Sequence, residues 1–425
     1  MHDILPPDTT LWSRVETMVS GIFARYGYEE LRIPLLEKTD VFTRAIGAAT
    51  DVVEKEMYSF EDRNGELLSL RPEGTAGVVR AALQHGLLYG SPMRLWYGGA
   101  MFRYERPQKG RSRQFHQMGA EVFGADGPDV DAELIAMGER IFSELGVRGL
   151  RLEINSLGTR SERASYREAL VDFLEAHLAE LDAETRTRVQ RNPLRVLDSK
   201  QESVQAVLAE APLLTDCLGD ESRQHFEETR SLLDSLGIDY VINPRLVRGL
   251  DYYSHTVFEW ISGDLGAQGT VCAGGRYNDL VELQGGKPWP GIGFALGLER
   301  LVESVRLGGA PAPDAPHAYV VMAGEGCLAY GLQVAEHLRD ELPDLRIICN
   351  AGAGSFKAQF RRADRSGARL ALVAGESERE ADTVVVKHLR DDVPQAAIAR
   401  RELGSWLRAW LEKQGPPAGG AGRAR

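Results

Sequence analysis

The stretch LVRGLDYYSHTVFEW, residues 246–260, combines several side chains that could take part in chemistry. Its second half, TVFEW, is rich in β-branched and aromatic residues and predicts a strand. Its first half contains, within eight positions, Arg248, Asp251, Tyr252, Tyr253 and His255. Ionisable groups that lie against a buried strand cost free energy unless they have partners. The cluster therefore raises the question of which partners satisfy it.

Three consecutive sequences predict a β-hairpin. LWYGGAMFRYE and RQFHQMGAEVFG are the two strands, and the polar, basic RPQKGRS is the loop between them. A charged loop of this kind often keeps a sheet edge soluble. Arg103, however, is predicted to lie inside the first strand. On the second strand, Gln117, Gly119 and Glu121 share one face because side chains alternate with period two. An amide, a bare backbone and a carboxylate form a poor core face and a good pocket floor.

Two further stretches are ordinary when each is taken alone. RPEGT, residues 71–75, follows the apolar LLSL, and its Pro72 and Gly74 are typical of a strand that ends in a turn. FALGLERLVESV predicts a helix, and Arg300 lies off its apolar stripe as a surface arginine would. That stripe consists of Phe294, Leu298, Leu301, Val302 and Val305.

Missing motifs and the overall composition exclude several classes of protein. Neither G-x-G-x-x-G nor G-x-x-x-x-G-K-[ST] occurs, which disfavours a Rossmann dehydrogenase or a P-loop enzyme. The four cysteines form no C-x-x-C pair and H-E-x-x-H is absent, so we expect no metal held by the protein. The net charge of −12 argues against a generally basic nucleic-acid binder but leaves room for a local basic site. The N-terminal sequence lacks signal-peptide features and no apolar run reaches spanning length, so we expect a cytoplasmic protein.

The 425 residues predict an α/β protein of two parts. The boundary is LGGAPAPDAP, residues 307–316, which is rich in Pro, Gly and Ala. We expect a first domain at 1–310, with an antiparallel sheet flanked by helices and a helical insertion at about 160–236. Strands and helices alternate over 317–413, which predicts βαβ units and a mostly parallel sheet in an α/β domain. Residues 414–425 are expected to be a disordered tail.

Taken together, these stretches resemble a known family. FRYE with its basic loop and RQFHQMGAEVFG resemble motif 2 of class II aminoacyl-tRNA synthetases, and GFALGLERL resembles their motif 3. RIPLLEKTDVF, which includes Pro34, resembles motif 1, which builds the dimer interface. LVRGLDYYSHTVFEW and AGGRYNDLV resemble the two signatures peculiar to histidyl-tRNA synthetases. The resemblance covers nearly the whole chain, and it implies a class II catalytic sheet followed by an α/β anticodon-binding domain.

The resemblance implies a homodimer that activates L-histidine with ATP and substrate-bound Mg²⁺, releases pyrophosphate, and transfers histidine to the 3′ end of tRNA(His). Arg103 and Arg248 would be the catalytic residues, holding the histidine carboxylate and the α-phosphate together. Arg300 would bind the far phosphates, and Glu105 would lie near the adenine or the magnesium. Arg113 is a further ATP-binding candidate. Phosphoryl chemistry depends on positioning and charge stabilisation, and the substrate carboxylate itself attacks, so no enzyme nucleophile is required.

The family match also assigns a histidine pocket. Tyr253 and Glu121 would bind the two imidazole nitrogens, and Arg248 would contribute from the same loop. Asp251 is expected to orient its neighbours. The other histidine-binding residues implied by the match are, for the α-amino group, Glu73, Thr75 and Gln117; for the pocket walls, Tyr252 and Tyr277; and, for close approach of the backbone, Gly274 and Gly275.

Two basic groups would contact tRNA. The hairpin loop would reach the acceptor end through Gln108, Lys109 and Arg111. In the C-terminal domain the candidates are Lys357, Arg361 and Arg362, on the predicted helix SFKAQFRRADRSG. A solvated charged face is the alternative for that helix, but it occupies the position of the family's anticodon-binding domain.

Two other functions remain open at this stage. A paralogue of the family does not charge tRNA and acts as a regulatory subunit of ATP phosphoribosyltransferase in histidine biosynthesis. It resembles the catalytic domain only and loses some ATP-site residues, whereas Arg103, Arg248 and Arg300 are all present here. A stand-alone RNA-binding protein would explain the basic patches but not the histidine pocket.

Overall fold

The structure is a computed structural model that describes residues 1–413, except 48–49, 89, 91, 107–109, 198, 200, 310–314 and 353. The predicted tRNA contacts Gln108 and Lys109, and the predicted tail 414–425, lie outside the described residues. The chain divides into two compact units on either side of the 310–311 bond. Within the part just defined, no helix is both long and apolar enough to cross a membrane.

The first unit is built from ten labelled helices and eleven strands among the described residues. The helices are α1 (Asp8–Arg25), α2 (Thr39–Ile46), α3 (Thr75–Gln84), α4 (Pro128–Glu144), α5 (Arg160–Ala176), α6 (Ala183–Arg191), α7 (Glu202–Leu208), α8 (Asp220–Ser235), α9 (Leu280–Leu283) and α10 (Leu298–Leu307). The strands are β1 (Glu29–Glu30), β2 (Leu36–Lys38), β3 (Ser59–Glu61), β4 (Leu67–Leu70), β5 (Met93–Phe102), β6 (Gln114–Phe123), β7 (Leu150–Ser156), β8 (Val241–Ile242), β9 (Ser254–Ser262), β10 (Thr270–Arg276) and β11 (Gly291–Gly297). Shorter helical turns are Val52–Glu56, Leu178–Glu180, Pro193–Val196, Leu214–Cys217 and Gly263–Gln268.

The main sheet has the order β1-β5-β6-β11-β10-β9-β7-β8 over the described residues. From β5 to β7 every neighbouring pair is antiparallel, and only the short outer strands β1 and β8 pair in parallel. This confirms the predicted antiparallel sheet and the hairpin, which is β5 and β6. A small sheet, β2-β4-β3, carries the segment that resembles motif 1.

The alternation of side chains on β6 gives the sheet two different faces. Met118, Ala120 and Val122 are buried in one hydrophobic core with residues of α1, α4 and α10. The intervening positions, from Gln117 to Glu121, face the other way, as the period of two predicted. On β11 the same rule buries Ile292 and Leu296 in the helical core. One face of the sheet is therefore covered by helices, and the other is left for a site.

Two details of the first unit differ from the sequence-based expectation. Phe294 belongs to strand β11, and the helix begins only at Leu298, because GIGFA pairs with β6 and β10 and the stripe of apolar residues does not distinguish this from a helix start. Arg103 follows the end of β5 at Phe102 and does not lie within the strand. Its backbone N–H still bonds the Arg113 carbonyl across the hairpin at 3.0 Å.

The segment at about 160–236 is mostly helical, as expected, but its parts pack differently. Tyr166 and Leu170 of α5 are buried in a core that also contains residues of α3. Phe226 and Leu233 of α8 are instead buried in the helical core beside α4. The side chain of His225 on α8 lies 2.7 Å from that of Asp131 on α4. The last helix of this segment is thus part of the layer that supports the main sheet.

The second unit contains its own sheet and its own buried clusters. Its elements are β12 (Ala318–Ala323), α11 (Cys327–Glu341), β13 (Ile347–Cys349), α12 (Phe356–Arg365), β14 (Leu370–Gly375), α13 (Glu376–Ala381), β15 (Thr383–His388), β16 (Ala396–Ala399) and α14 (Arg400–Lys413). The sheet order is β13-β12-β14-β15-β16. The first three strands are parallel, as predicted, but β15 and β16 are antiparallel to their neighbours. The expected parallel pairing thus holds for β13, β12 and β14 but not for β15 and β16, because the connections 376–382 and 389–395 are shorter than the roughly dozen residues that a parallel crossover needs.

Candidate active site

A cleft opens on the face of the main sheet that the helical core does not cover. It holds about 1000 Å³ of empty space, its open mouth included. The sequence-predicted residues that line it are Glu73, Thr75, Arg103, Glu105, Arg111, Gln117, Arg248, Tyr252, Tyr253, Tyr277 and Arg300. Residues more than 200 positions apart are thus brought to one place by the antiparallel sheet.

Glu121 lies beneath the floor of the cleft and is only 1% exposed. Its two carboxyl oxygens contact the hydroxyl of Thr75 at 2.7 Å and the hydroxyl of Tyr277 at 2.5 Å. Burial raises the pKa of Glu121 to about 8, although the two hydroxyl hydrogen bonds lower it and Glu73 raises it further. The group is therefore mostly protonated at neutral pH when no ligand is bound, and it is well placed to share a proton with a ligand.

Glycines make room for the polar groups of this floor. A Cβ at Gly293, which faces Glu121 in the strand register, would come within 1.7 Å of a carboxyl oxygen of Glu121. A Cβ at Gly74 or Gly119 would come within 2.0 Å or 2.5 Å of the Tyr97 ring. The hydroxyl of Tyr97 is buried and has no hydrogen-bond partner among the described atoms. Tyr97 therefore adds a polar group to the pocket that the sequence did not reveal.

Two other polar residues at this end contribute in different ways. The carboxylate of Glu73 accepts hydrogen bonds from the backbone N–H groups of Thr75 and Ala76 at 2.7 Å and 2.9 Å, so it satisfies the start of α3. Burial raises its pKa. Gln117 lines the cleft, and its amide oxygen is buried without a hydrogen-bond partner in the described structure. An unsatisfied buried oxygen of this kind points to a ligand or a water.

The loop that carries Arg248 is fixed by an ion pair. Arg248 Nη1 donates to Glu259 Oε2 at 2.8 Å, and both side chains are largely buried. Glu259 also accepts a hydrogen bond from the Thr270 hydroxyl at 3.3 Å. The Arg248 guanidinium lies 5.9 Å from the centre of the Tyr253 ring. Glu259 was not predicted as a site residue, although a carboxylate inside the apolar TVFEW strand was an available signal.

The opposite end of the cleft is lined by cationic side chains. Arg103 Nε donates to the Pro72 carbonyl at 2.9 Å, and its guanidinium lies 5.3 Å from the centre of the Phe115 ring. Arg300 donates to the Thr270 carbonyl at 2.7 Å and to the Gly110 carbonyl at 3.2 Å. Backbone carbonyls thus orient both guanidinium groups. This arrangement suits the binding of phosphate oxygens.

Carboxylates also line this end. Glu105 pairs with Arg111 at 3.0 Å. Glu299 accepts hydrogen bonds from the backbone N–H of His116 at 3.0 Å and contacts the His116 ring. Neither Glu299 nor Phe115 was predicted as a site residue. Among the described residues, no three His, Cys, Asp or Glu side chains are grouped as they would be in a metal site.

Three predicted site residues have surroundings that differ from the expectation. Arg113 does not line the cleft, and its guanidinium lies 4.0 Å from the centre of the Tyr104 ring. A Cβ at Gly274 would meet the Gly293 carbonyl at 2.3 Å, and one at Gly275 would meet the Thr256 carbonyl at 2.6 Å. These two glycines permit close packing of neighbouring strands, which is a different reason from the approach to a ligand that we predicted.

In the second unit, the predicted tRNA contacts lie on α12. Lys357 and Arg361 are exposed, whereas Arg362 is half-buried. Arg362 donates to the side-chain oxygen of Asn350 at 2.7 Å and to the Ala351 carbonyl at 2.8 Å, so it also stabilises the loop before the helix. Gln359 is 1% exposed and exchanges two hydrogen bonds with the backbone of Met322 on β12. These bonds fix the helix so that its basic residues face solvent.

Comparison with known proteins identifies the family. The family model described as histidyl-tRNA synthetase matches residues 1–301, and the model described as anticodon binding domain matches residues 317–410. The chain belongs to the histidyl-tRNA synthetase family. A curated histidine–tRNA ligase from Halorhodospira halophila is 54% identical over 410 residues, which are 96% of this chain and 96% of that protein.

Solved structures of histidyl-tRNA synthetases have the same fold. The unliganded enzyme of Staphylococcus aureus matches with a TM-score of 0.79 at 35% identity, covering 96% of this chain and 97% of that one. A Bacillus halodurans structure described as an ATP phosphoribosyltransferase regulatory subunit/histidyl-tRNA synthetase matches with a TM-score of 0.64 at 20% identity, covering 88% of this chain and 97% of that one. That second likeness shows the fold alone. The nearly full-length identity to a ligase favours the aminoacyl-tRNA synthetase activity over the regulatory alternative.

Proposed function

We propose that this chain activates L-histidine with ATP to form histidyl-adenylate and then transfers the histidine to the 3′ end of tRNA(His). The observation that carries the proposal is a single cleft in which a buried pocket around Glu121 adjoins the guanidinium groups of Arg103, Arg248 and Arg300. The pocket offers partners for an imidazole, and the guanidinium groups offer partners for phosphate. A regulatory histidine sensor would need the first feature but not the second.

At the buried end, Glu121 binds one imidazole nitrogen and the hydroxyl of Tyr253 binds the other. Thr75 and Tyr277 hold the Glu121 carboxyl in place, and the walls formed by Tyr252 and Tyr277 exclude water. Glu73 and the unpartnered amide oxygen of Gln117 are the acceptors for the α-amino group. A pocket built on such hydrogen bonds rejects amino acids that lack two ring nitrogens.

At the cationic end, Arg103 and Arg248 hold the substrate carboxylate against the α-phosphate, and Arg300 holds the far phosphates. The carboxylate oxygen attacks phosphorus and pyrophosphate leaves, so the protein supplies position and positive charge and not a nucleophile. The face of the Phe115 ring and the Glu105 carboxylate are available to the adenine. Arg113 binds ATP only if its contact with Tyr104 is given up.

Members of the family use ATP with Mg²⁺, and the cleft fits ATP-bound magnesium. Mg²⁺ prefers oxygen ligands and is commonly held by substrate phosphates with one or two carboxylates. Glu105 and Glu299 provide such carboxylates beside the arginines. When bound, the ion would neutralise charge on the phosphates. This chain's own arginines position the reacting groups in either case.

Binding of tRNA would use both units. Arg111, with Gln108 and Lys109, would contact the acceptor end from the hairpin loop. Lys357 and Arg361 would contact the RNA from α12, with Arg362 at the edge of that surface. We place the domain limits at 1–310 and 317–413.

The chain would act as a homodimer in the cytoplasm, where translation takes place. The small sheet β2-β4-β3 exposes two large apolar side chains on one face, Leu36 and Phe60. Exposed apolar groups that cluster on one sheet are typical of a protein interface. The segment that resembles motif 1 contributes β2, which supports the same surface.

Histidine-dependent exchange between ATP and labelled pyrophosphate, followed by charging of tRNA(His), tests the proposal on the full-length protein. We expect both activities, and we expect exchange to require histidine. A folded dimer that binds histidine but exchanges no pyrophosphate would contradict the ligase and favour the regulatory function. A protein that binds tRNA without binding histidine would contradict both.

A further inference from the structure

A second cavity adjoins the active cleft on the side of the helices α5 and α6. It holds about 950 Å³ of empty space, its open mouth included. Its walls come from α5, the end of α6, the turn Pro193–Val196 and the loop 247–251. Arg248 and Leu250 line both cavities. The loop that carries the proposed catalytic arginine therefore separates two spaces, of which the proposed function uses only one.

The second cavity is strongly basic within an acidic protein. Its arginines are Arg160, Arg163, Arg167, Arg191 and Arg195, in addition to Arg248, and Asp251 is the carboxylate among the described lining residues. The whole chain has a net charge of −12, so this concentration of positive charge does not follow from composition. Like charges that converge on a cavity repel each other unless an anion enters it.

Three of these arginines are available to a ligand. Arg160 and Arg167 are exposed and form no hydrogen bond or ion pair with any described residue. Arg191 is exposed, and its guanidinium lies 3.9 Å from the carboxylate of Glu54. Arg160, Arg163 and Arg167 are spaced by three and four residues on α5, so they share one face of that helix.

Two other arginines hold the catalytic loop itself. Arg163 Nη1 donates to the Tyr253 carbonyl. Arg195 Nη2 donates to the Gly249 carbonyl at 3.2 Å, and a Cβ at Gly249 would come within 3.2 Å of the same guanidinium. The cavity therefore has a fixed inner wall that supports the loop and an outer rim of arginines that does not.

We propose that this cavity binds phosphate groups, and that its outer arginines Arg160, Arg167 and Arg191 are their donors. Guanidinium forks match phosphate oxygens in geometry and charge. The inference deepens the proposed tRNA reaction, because the 3′ strand of the RNA has to reach the active cleft and the cavity shares a wall with that cleft. The phosphates therefore come from this single strand or from a free polyphosphate, which offers the same chemistry.

The test compares two double variants of the full-length protein. The double variant Arg167→Ala with Arg191→Ala, called the cavity variant, removes two outer donors. It keeps Arg163 and Arg195, which hydrogen-bond to the catalytic loop. Arg148→Ala with Arg188→Ala is the matched control, since both arginines are exposed and lie outside the cavity. For each protein we would measure the KM for tRNA(His) in charging, its salt dependence, pyrophosphate exchange, and the binding of tripolyphosphate by calorimetry.

If RNA supplies the phosphates, the KM for tRNA is about tenfold higher in the cavity variant than in wild type. The slope of log affinity against log salt concentration becomes shallower by about 1.4, because two phosphate contacts are lost and each contributes roughly 0.7 on a single strand. Pyrophosphate exchange stays within about twofold of wild type, because the outer arginines do not touch the loop. If a free polyphosphate is the ligand, tripolyphosphate binds the wild type and the control but not the cavity variant, and the KM for tRNA is unchanged.

The proposal would be overturned if the cavity variant and the control had the same KM for tRNA(His) and bound tripolyphosphate equally well. A misfolded double variant is recognised by its melting temperature, and the single variants Arg167→Ala and Arg191→Ala then decide between the same outcomes. A wild-type protein without exchange activity would instead contradict the proposed function, so the two failures can be told apart.

Discussion

The two ends of the active cleft handle charge in opposite ways. At the end proposed to bind histidine, Glu121 is almost completely buried, and burial raises its pKa to about 8. The groups that hydrogen-bond to its carboxyl are the hydroxyls of Thr75 and Tyr277. At the proposed phosphate end, Arg103 and Arg300 are only partly buried, and both guanidinium groups donate to backbone carbonyls.

This difference matches the two tasks that we propose for the cleft. Recognition of a small ring is sharpest where water is excluded and each polar atom has one partner, because a wrong ligand then leaves buried groups unpaired. Stabilising charge that develops on a phosphate requires permanent cations that are already oriented. Substitutions at the two ends should therefore affect selectivity and rate to different degrees.

The largest effect is expected at the arginine of the catalytic loop. Arg248→Ala should lower the rate of pyrophosphate exchange about 100- to 1000-fold, as loss of one oriented donor typically does, while histidine affinity changes far less. Arg248→Lys should also be poor, because a point charge does not replace a planar fork. The kcat and KM values of exchange are the measurement.

The ion pair with Glu259 complicates that experiment, because Arg248→Ala leaves a largely buried carboxylate without its cation. The double variant Arg248→Ala with Glu259→Gln removes the leftover charge and should remain equally slow. Arg94→Ala, which breaks another arginine–glutamate pair that lies outside the cleft, is the control. A near wild-type rate of pyrophosphate exchange in either Arg248 variant would show that adenylate formation does not depend on Arg248.

A smaller effect, of a different kind, is expected at the histidine end. Glu121→Gln should lower kcat/KM for histidine about 10- to 100-fold, the range of a lost charged hydrogen bond, while the ATP KM stays nearly constant. Its pH profile provides the sharper result. Wild-type histidine affinity should be greatest between the imidazole pKa of about 6.5 and the Glu121 pKa of about 8, where the complex holds one shared proton.

In the Glu121→Gln variant the decline above pH 8 should disappear, because the carboxyl that titrates there is gone. The acid limb should remain, because it belongs to the substrate. Wild-type kinetics in this variant, at every pH, would mean that the imidazole lies elsewhere. The variant Gln117→Ala, in the same pocket, is the control. Its histidine affinity should still decline above pH 8, because Glu121 is intact.

The sequence predicted the residues of the cleft better than their partners. Glu121 on the pocket face of β6 followed from the period of two, and Arg248 followed from its position before a strand. Tyr97 was missed because nothing local marks a tyrosine whose space is cleared by Gly74 and Gly119, which are distant along the chain. Glu259 was missed although a carboxylate within the apolar TVFEW strand was an available signal. The contacts of the Tyr97 ring with these two glycines form only when β5, β6 and the 72–75 turn come together in the fold.

The fold was predicted with similar limits. The antiparallel sheet and the α/β second unit followed from the periodicity of the apolar residues. The start of α10 did not, since GIGFALG fits either a buried strand or a helix. The direction of β15 and β16 depends on short connections and on pairing between strands, which single-chain patterns do not report.

Both ends of the cleft lie in the first unit, so a fragment of residues 1–312 should keep adenylate chemistry. Pyrophosphate exchange should remain close to that of the full chain, while the KM for tRNA rises on the order of tenfold because the exposed basic residues of α12 are lost. Salt should weaken tRNA binding of the full chain more steeply than that of the fragment. Full charging by the fragment, or loss of exchange by a folded dimeric fragment, would contradict this.

The smallest effect tests the buried carboxyl without any substrate. The folded-state pKa of Glu121, about 8, is above its ordinary value of 4.5, so the folded protein keeps a proton that the unfolded chain releases. Its contribution to stability is therefore fully present below pH 4.5 and is lost progressively as pH rises towards 8. Glu121→Gln carries no such proton, so its melting temperature relative to wild type should increase from pH 5 to pH 8 and then level off. The variant Glu175→Gln, at an exposed position, is the control. If the difference in melting temperature between Glu121→Gln and wild type stays constant with pH, Glu121 is already ionised in the folded protein at neutral pH. That result would remove the contrast between the two ends of the cleft.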